Sequence, residues 1–116
     1  GLVRDEPAEV TAFLHAQLTG EAQMIITTGG TGITSRDGTF EAVDAVLEKR
    51  LDGFGELFRM LSYQDIGPSA MMSRATAGLV RGRVVIALPG SEAAVRLAMT
   101  KLVLPELTHL VQQASR

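Results

Sequence analysis

The apolar positions of this chain alternate between helical and strand spacing. Val10, Phe13, Leu14 and Leu18 recur at three- and four-residue intervals, which places them on one face of a helix over residues 5–18. Asp5 is positioned to cap that helix, Pro7 suits its first turn and Gly20 ends it. The stretch Gln23-Met24-Ile25-Ile26-Thr27 is short, apolar and β-rich, so a buried strand is predicted there. From Thr28 to Gly38 glycine, threonine and serine dominate, the composition of a loop. Thr39 is read as the cap of a second helix with Phe40, Val43, Val46 and Leu47 inside, broken at Gly53. Phe54, Leu57, Phe58 and Leu61 form the stripe of a third. Gly67-Pro68 starts a turn, and a short helix is predicted over 70–77. The clearest strand is Arg83 to Leu88. Pro89-Gly90-Ser91 then turns the chain into a helix over 91–103, and Pro105 begins a last helix that runs to about Ala114.

Helix, strand, helix, helix, strand, helix is an α/β pattern, which favours a three-layer α/β/α fold around a mostly parallel sheet. Two strands are too few for such a sheet. Residues 1–3 are read as the end of a third strand and Ala77 to Val80 as a short fourth. The start is abrupt, so one domain over 1–116, lacking an N-terminal strand and helix, is expected.

Composition narrows the chemistry. With no cysteine among 116 residues, disulfides, thiolate metal sites and cysteine nucleophiles drop out. Eleven basic and thirteen acidic residues give a formal charge of −2 without a block of like charge, which argues against nucleic acid as a partner. The apolar runs are far shorter than a membrane span, and Arg4, Asp5 and Glu6 interrupt any signal-like stretch, so a cytoplasmic protein without membrane contact is expected.

The candidate site is the sequence Thr28-Gly29-Gly30-Thr31-Gly32, directly after a strand. Open α/β sheets bind ligands at the carboxyl edge of their strands. Glycines permit positive φ and close approach of a ligand, and successive N–H groups form an anion-binding concavity. Thr28, Thr31, Thr34 and Ser35 add hydroxyls, so a phosphate is the expected guest. The loop is neither a Walker A motif, lacking Gly-Lys-Ser/Thr, nor the dinucleotide fingerprint, since Ser35 stands at its third glycine. Asp37 could hold Mg²⁺ against phosphate oxygens or pair with Arg36 to order the loop. Glu41 suits the first turn of the following helix. Pro89-Gly90-Ser91 repeats the arrangement after the second strand, with Ser91 better placed to cap a helix than to touch a ligand. His15 and His109 lack ligand partners at helical spacing. Met71 and Met72 suit a core or an interface, and Arg74 and Arg81 read as solvated cations that could reach a phosphate.

Thr27-Thr28-Gly29-Gly30-Thr31-Gly32, followed by Arg36-Asp37 and Thr39-Phe40-Glu41-Ala42, resembles the MoaB/MogA family of molybdenum cofactor biosynthesis, the molybdopterin-binding fold. Gly53-Phe54-Gly55-Glu56 and Met72-Ser73-Arg74-Ala75 look like further family motifs. Leu88-Pro89-Gly90-Ser91 and Leu104-Pro105-Glu106 resemble the MoaB branch. The resemblance runs from Thr27 to about His109, with Phe40 where the family usually has proline and Gly38 where a β-branched residue is common.

The resemblance implies binding of molybdopterin, a pterin with a terminal phosphate and a dithiolene. For active members it implies Mg²⁺-dependent transfer of AMP from ATP to that phosphate. The loop 29–32 would cradle phosphate, Asp37 would be the catalytic and metal-holding acid, and Pro89, Gly90 and Ser91 would form the other wall. A homotrimer or homohexamer and contacts with other proteins of the pathway are implied as well. Two alternatives stay open: a non-catalytic molybdopterin-binding or scaffold protein, and a metal-dependent phosphate-ester hydrolase.

Overall fold

The computed structural model describes residues 7–33 and 38–116. The capping role of Asp5, the strand at residues 1–3, and Thr34, Ser35, Arg36 and Asp37 lie outside the described residues. The elements are α1 (Pro7–Leu18), β1 (Met24–Thr28), α2 (Thr39–Val46), β2 (Lys49–Arg50), α3 (Asp52–Ile66), a 3₁₀ segment (Gly67–Met72), β3 (Thr76–Val80), β4 (Arg83–Leu88), α4 (Glu92–Ala98), a π segment (Met99–Val103) and α5 (Leu104–Ala114).

The strands form one sheet in the order β1-β4-β3-β2. β4 is buried on both faces, the reason for its unbroken apolar run. Val84, Ile86 and Leu88 pack with Phe58, Ala77, Ala98, Val103 and Ala114, beneath α3 and the C-terminal helices. Val85 and Ala87 face the other way, onto Val10, Leu14, Leu18, Ile25 and Val43 of the α1–α2 side. Helices thus cover both faces, as the alternation of elements predicts. Each large side chain so buried contributes about 1.5–3 kcal/mol.

Among the described residues the sheet is mixed rather than mostly parallel. β1 runs parallel to β4, but β3 is antiparallel to β4 and β2 antiparallel to β3. The helix expected over 70–77 is a 3₁₀ segment that stops at Met72, and Thr76 already begins β3. β3 then meets β4 across a two-residue turn, Arg81-Gly82, with φ of 52° and 76°. Two residues can join antiparallel neighbours only, and two positive φ values match the twist of a hairpin.

Two helix boundaries also move. Gly53 does not break α2; it lies in the first turn of α3, and the break is the short strand β2. The helices expected at 91–103 and from Pro105 run on continuously. Pro105 has no N–H to complete an α-turn, and the Leu104 N–H instead reaches back to the Met99 carbonyl, five residues away.

Candidate phosphate-binding edge

The parallel pairing aligns Thr28 with Leu88, so β1 and β4 end at the same edge. The two candidate loops leave the sheet side by side, and the Gly29 N–H donates to the Leu88 carbonyl at 2.9 Å. Gly29 and Gly30 have φ of 92° and 68°, in the left-handed region that favours glycine. A β-carbon built on Gly29 or on Gly32 meets nothing within 4 Å, so both face open space. Gly90 differs: its β-carbon would come 3.1 Å from the Gly29 Cα. Gly29 and Gly32 thus leave room outward, and Gly90 lets the second loop close on the first.

The loop returns to α2 through a hydrogen bond from the Phe40 N–H to the Gly30 carbonyl, 3.0 Å. Gly38, not Thr39, is the N-cap of α2, and Thr39 is a buried residue of the helix itself. With no cap side chain available, the Glu41 carboxylate accepts the Gly38 N–H at 3.0 Å. Thr31 is buried, whereas Thr28 and Gly32 are exposed. Ser91 caps α4, its Oγ accepting the Ala94 N–H at 3.1 Å, as its place before a helix predicts. Pro89 and Ser91 also border a small cavity of about 100 Å³ shared with Ser62 and Ser73.

The residue that sequence reasoning undervalued is Arg74. It is not a solvated cation. Its Nε donates to the Thr31 carbonyl at 2.9 Å and its Nη2 to the Gly32 carbonyl at 2.5 Å. Its Nη1 pairs with Glu41 Oε2 at 2.5 Å, and the guanidinium carbon stands 4.2 Å from the centre of the Phe40 ring. The Arg74 hydrogen bond is the main influence that holds the Glu41 carboxyl below its ordinary pKa, against the opposing effect of partial burial. More than forty residues separate Arg74 from the carbonyls it binds. Its membership of the string Met72-Ser73-Arg74-Ala75 was the only signal in the sequence. Arg81 is exposed, and its backbone N–H donates to Glu48 Oε1 at 2.9 Å.

His15 is exposed. His109 pairs with Glu106 on the surface of α5. Among the described residues no group of three His, Cys, Asp or Glu is assembled as a metal centre, and no helix is long and apolar enough to cross a membrane.

A three-layer α/β domain with two glycine turns meeting at the carboxyl edge of parallel strands has the architecture in which open α/β sheets place their ligand sites. The chain belongs to the molybdopterin-binding domain family, whose model, described as a probable molybdopterin binding domain, matches residues 1–109. It is 50% identical over 117 residues to molybdenum cofactor biosynthesis protein B of Bacillus cereus, covering 99% of this chain and 69% of the relative. The protein of the same name from Staphylococcus aureus is 47% identical over 116 residues, with the same two coverages. Among solved structures, a molybdenum cofactor biosynthesis protein B superposes with a TM-score of 0.95 at 50% identity, over 98% of this chain and 72% of that one. The tungsten cofactor synthesizing protein MoaB from Pyrococcus furiosus gives 0.92 at 38% identity, over 100% and 74%. The Mog protein of Mycobacterium ulcerans gives 0.86 at 28%, over 97% and 72%.

Proposed function

We propose that this chain serves molybdenum cofactor biosynthesis by binding the terminal phosphate of molybdopterin on Gly29, Gly30, Thr31 and Gly32, and that it adenylylates that phosphate with Mg-ATP. The observation that carries the reading is the contact of the two glycine turns, Gly29 against Gly90, at the shared end of β1 and β4. The glycines' positive φ and the open space around Gly29 and Gly32 fit a tetrahedral anion held by backbone N–H groups. Thr28, Pro89, Gly90 and Ser91 border the same edge.

The reaction requires no nucleophile from the protein. An oxygen of the pterin phosphate forms a bond to the α-phosphorus of ATP while the bond to pyrophosphate breaks, and pyrophosphate leaves. The protein's part is to hold the acceptor phosphate in line and to neutralise charge. Asp37, between the glycine loop and α2, is the residue assigned to hold Mg²⁺, which when bound screens charge on phosphate oxygens. Glu41 is engaged by Arg74 and Gly38 and is not assigned that role. We also assign the exposed apolar residues of α3 to contacts within a homotrimer or homohexamer.

The test uses the full chain with molybdopterin and Mg-ATP. Pyrophosphate should appear in step with adenylylated pterin. Asp37→Asn should lower that rate on the order of a hundredfold while pterin binding is kept. Pterin binding without pyrophosphate release from the native chain would instead make it a binding or scaffold protein. Turnover of a phosphate ester with water and no nucleotide would make it a hydrolase.

A further inference from the structure

We infer that Arg74 is a positioning residue that sets the direction of the backbone N–H groups in the phosphate loop. The inference rests on the phosphate-binding reading above. Every nitrogen of its guanidinium is committed: one to the Thr31 carbonyl, one to the Gly32 carbonyl and one to the Glu41 carboxylate. A planar fork can serve three acceptors in fixed directions, which a lysine ammonium on a flexible stem cannot.

The consequence follows from the peptide unit. No cis peptide occurs among the described residues. In a trans peptide the carbonyl and the N–H point in opposite directions. The Thr31 carbonyl points to Arg74, so the Gly32 N–H points away from it. The Gly32 carbonyl points to Arg74, so the Ile33 N–H points away as well. Two successive amides are thereby aimed to the side opposite the guanidinium, and both residues are exposed. Paired N–H groups of this kind are the donors that an anion requires.

Arg74 is itself held from behind. Arg59 of α3 donates Nε and Nη2 to the Ser73 carbonyl at 3.3 and 3.0 Å. Gly55, one turn earlier in α3, lets the helix approach the Ala75 carbonyl so closely that a β-carbon would stand 2.9 Å from it. The segment 73–75 is pinned to α3 on both sides of Arg74, and Phe40 supports the guanidinium from its face. The loop is thus referenced to α3, a helix that contributes nothing to the loop's own sequence.

The experiment is a titration of the full chain with inorganic pyrophosphate, followed by the amide NMR signals of Gly32 and Ile33 and by calorimetry, at a temperature well below melting. The native chain should bind with shifts at both amides. Arg74→Ala should lose about tenfold to a hundredfold in affinity while remaining folded. Arg74→Lys keeps the charge and the stem, and so tests geometry alone even where the alanine variant does not fold; it should lose affinity in the same direction. Native affinity in either folded variant overturns the positioning role. For Arg74→Lys that result would mean that charge alone suffices, and for Arg74→Ala that the contacts serve only stability. Absence of pyrophosphate binding in the native chain would overturn the phosphate-loop reading itself and this inference with it, an outcome distinct from the other two.

Discussion

Gly90 lies against Gly29: a β-carbon at position 90 would stand 3.1 Å from the Gly29 Cα and 3.5 Å from its nitrogen. The two residues are 61 positions apart in sequence, yet their turns occupy one edge because β1 and β4 end in register. Gly90→Ala must push the second turn from the first by a few tenths of an ångström. The expected result is roughly tenfold weaker pyrophosphate binding, since small misplacements in a preorganised site are costly. Stability should change by no more than about 1 kcal/mol, because Gly90 is exposed. Calorimetry and thermal melting on the same sample check both parts.

The glycines of the first loop should separate by backbone. Gly29 has φ of 92°, so Gly29→Ala forces a side chain into the left-handed region at a cost of about 1–2 kcal/mol. Gly32 has open space around it and no positive φ. Gly32→Ala should therefore melt within about 0.5 kcal/mol of the native chain and weaken pyrophosphate binding, because the added methyl occupies the open side of the loop. Denaturant melts with parallel titrations check the pair.

Gly55→Ala tests the support behind Arg74. Its β-carbon would meet a backbone oxygen, that of Ala75, at 2.9 Å, so the helix or the segment 73–75 must shift. A loss of about 1–3 kcal/mol is expected, the usual range for overpacking. Chemical denaturation gives the number, and a change in the Gly32 and Ile33 amide signals would report the shift reaching the loop.

Glu41 gives the loop an acid limit. Its carboxyl is held below the ordinary glutamate range, chiefly by the Arg74 hydrogen bond. A lowered folded value means that the stabilisation is fully present above the unfolded pKa of roughly 4.3. It is lost as pH falls through the folded value. Glu41→Gln should flatten the decline of melting temperature on the acid side of that window. Asp44, lowered by Arg50, leaves a residual slope. Melting curves from pH 6 downward, with Glu41→Gln beside the native chain, measure the difference.

The stripe Phe54, Leu57, Phe58 and Leu61 divides in the structure. Phe58 is core at 1% exposure, while Leu57 is 48% exposed and is joined at the surface by Met60, Tyr63, Ile66, Met71 and Met72. An exposed apolar strip of this kind is the surface assigned above to contacts within the proposed homo-oligomer. The native chain should sediment as an oligomer at micromolar concentration, and Met60→Glu should shift it toward the monomer. A native monomer under those conditions would remove the assembly from the proposal.

The sequence by itself determined the elements whose signal is local. The apolar run of β4 marked the clearest strand, the alternation of helices and strands marked a sheet covered on both faces, and the glycines after β1 marked a loop with unusual φ. Ser91 before a helix marked a cap. What only the tertiary structure decided are relations between distant residues. The direction of β3 depended on Arg81, a non-glycine residue, accepting a left-handed φ so that a two-residue hairpin could close. The cap of α2 passed from Thr39 to Gly38 because Glu41 could reach back to its N–H. Arg74 looked like any exposed arginine, since its partners Thr31, Gly32, Phe40 and Glu41 lie more than thirty residues earlier. Hydrophobic period and turn chemistry act over a few residues, so one strand or loop at a time can be read from them. The meeting of Gly29 with Gly90, and the grip of Arg74 on the loop, exist only once the sheet has brought those segments together.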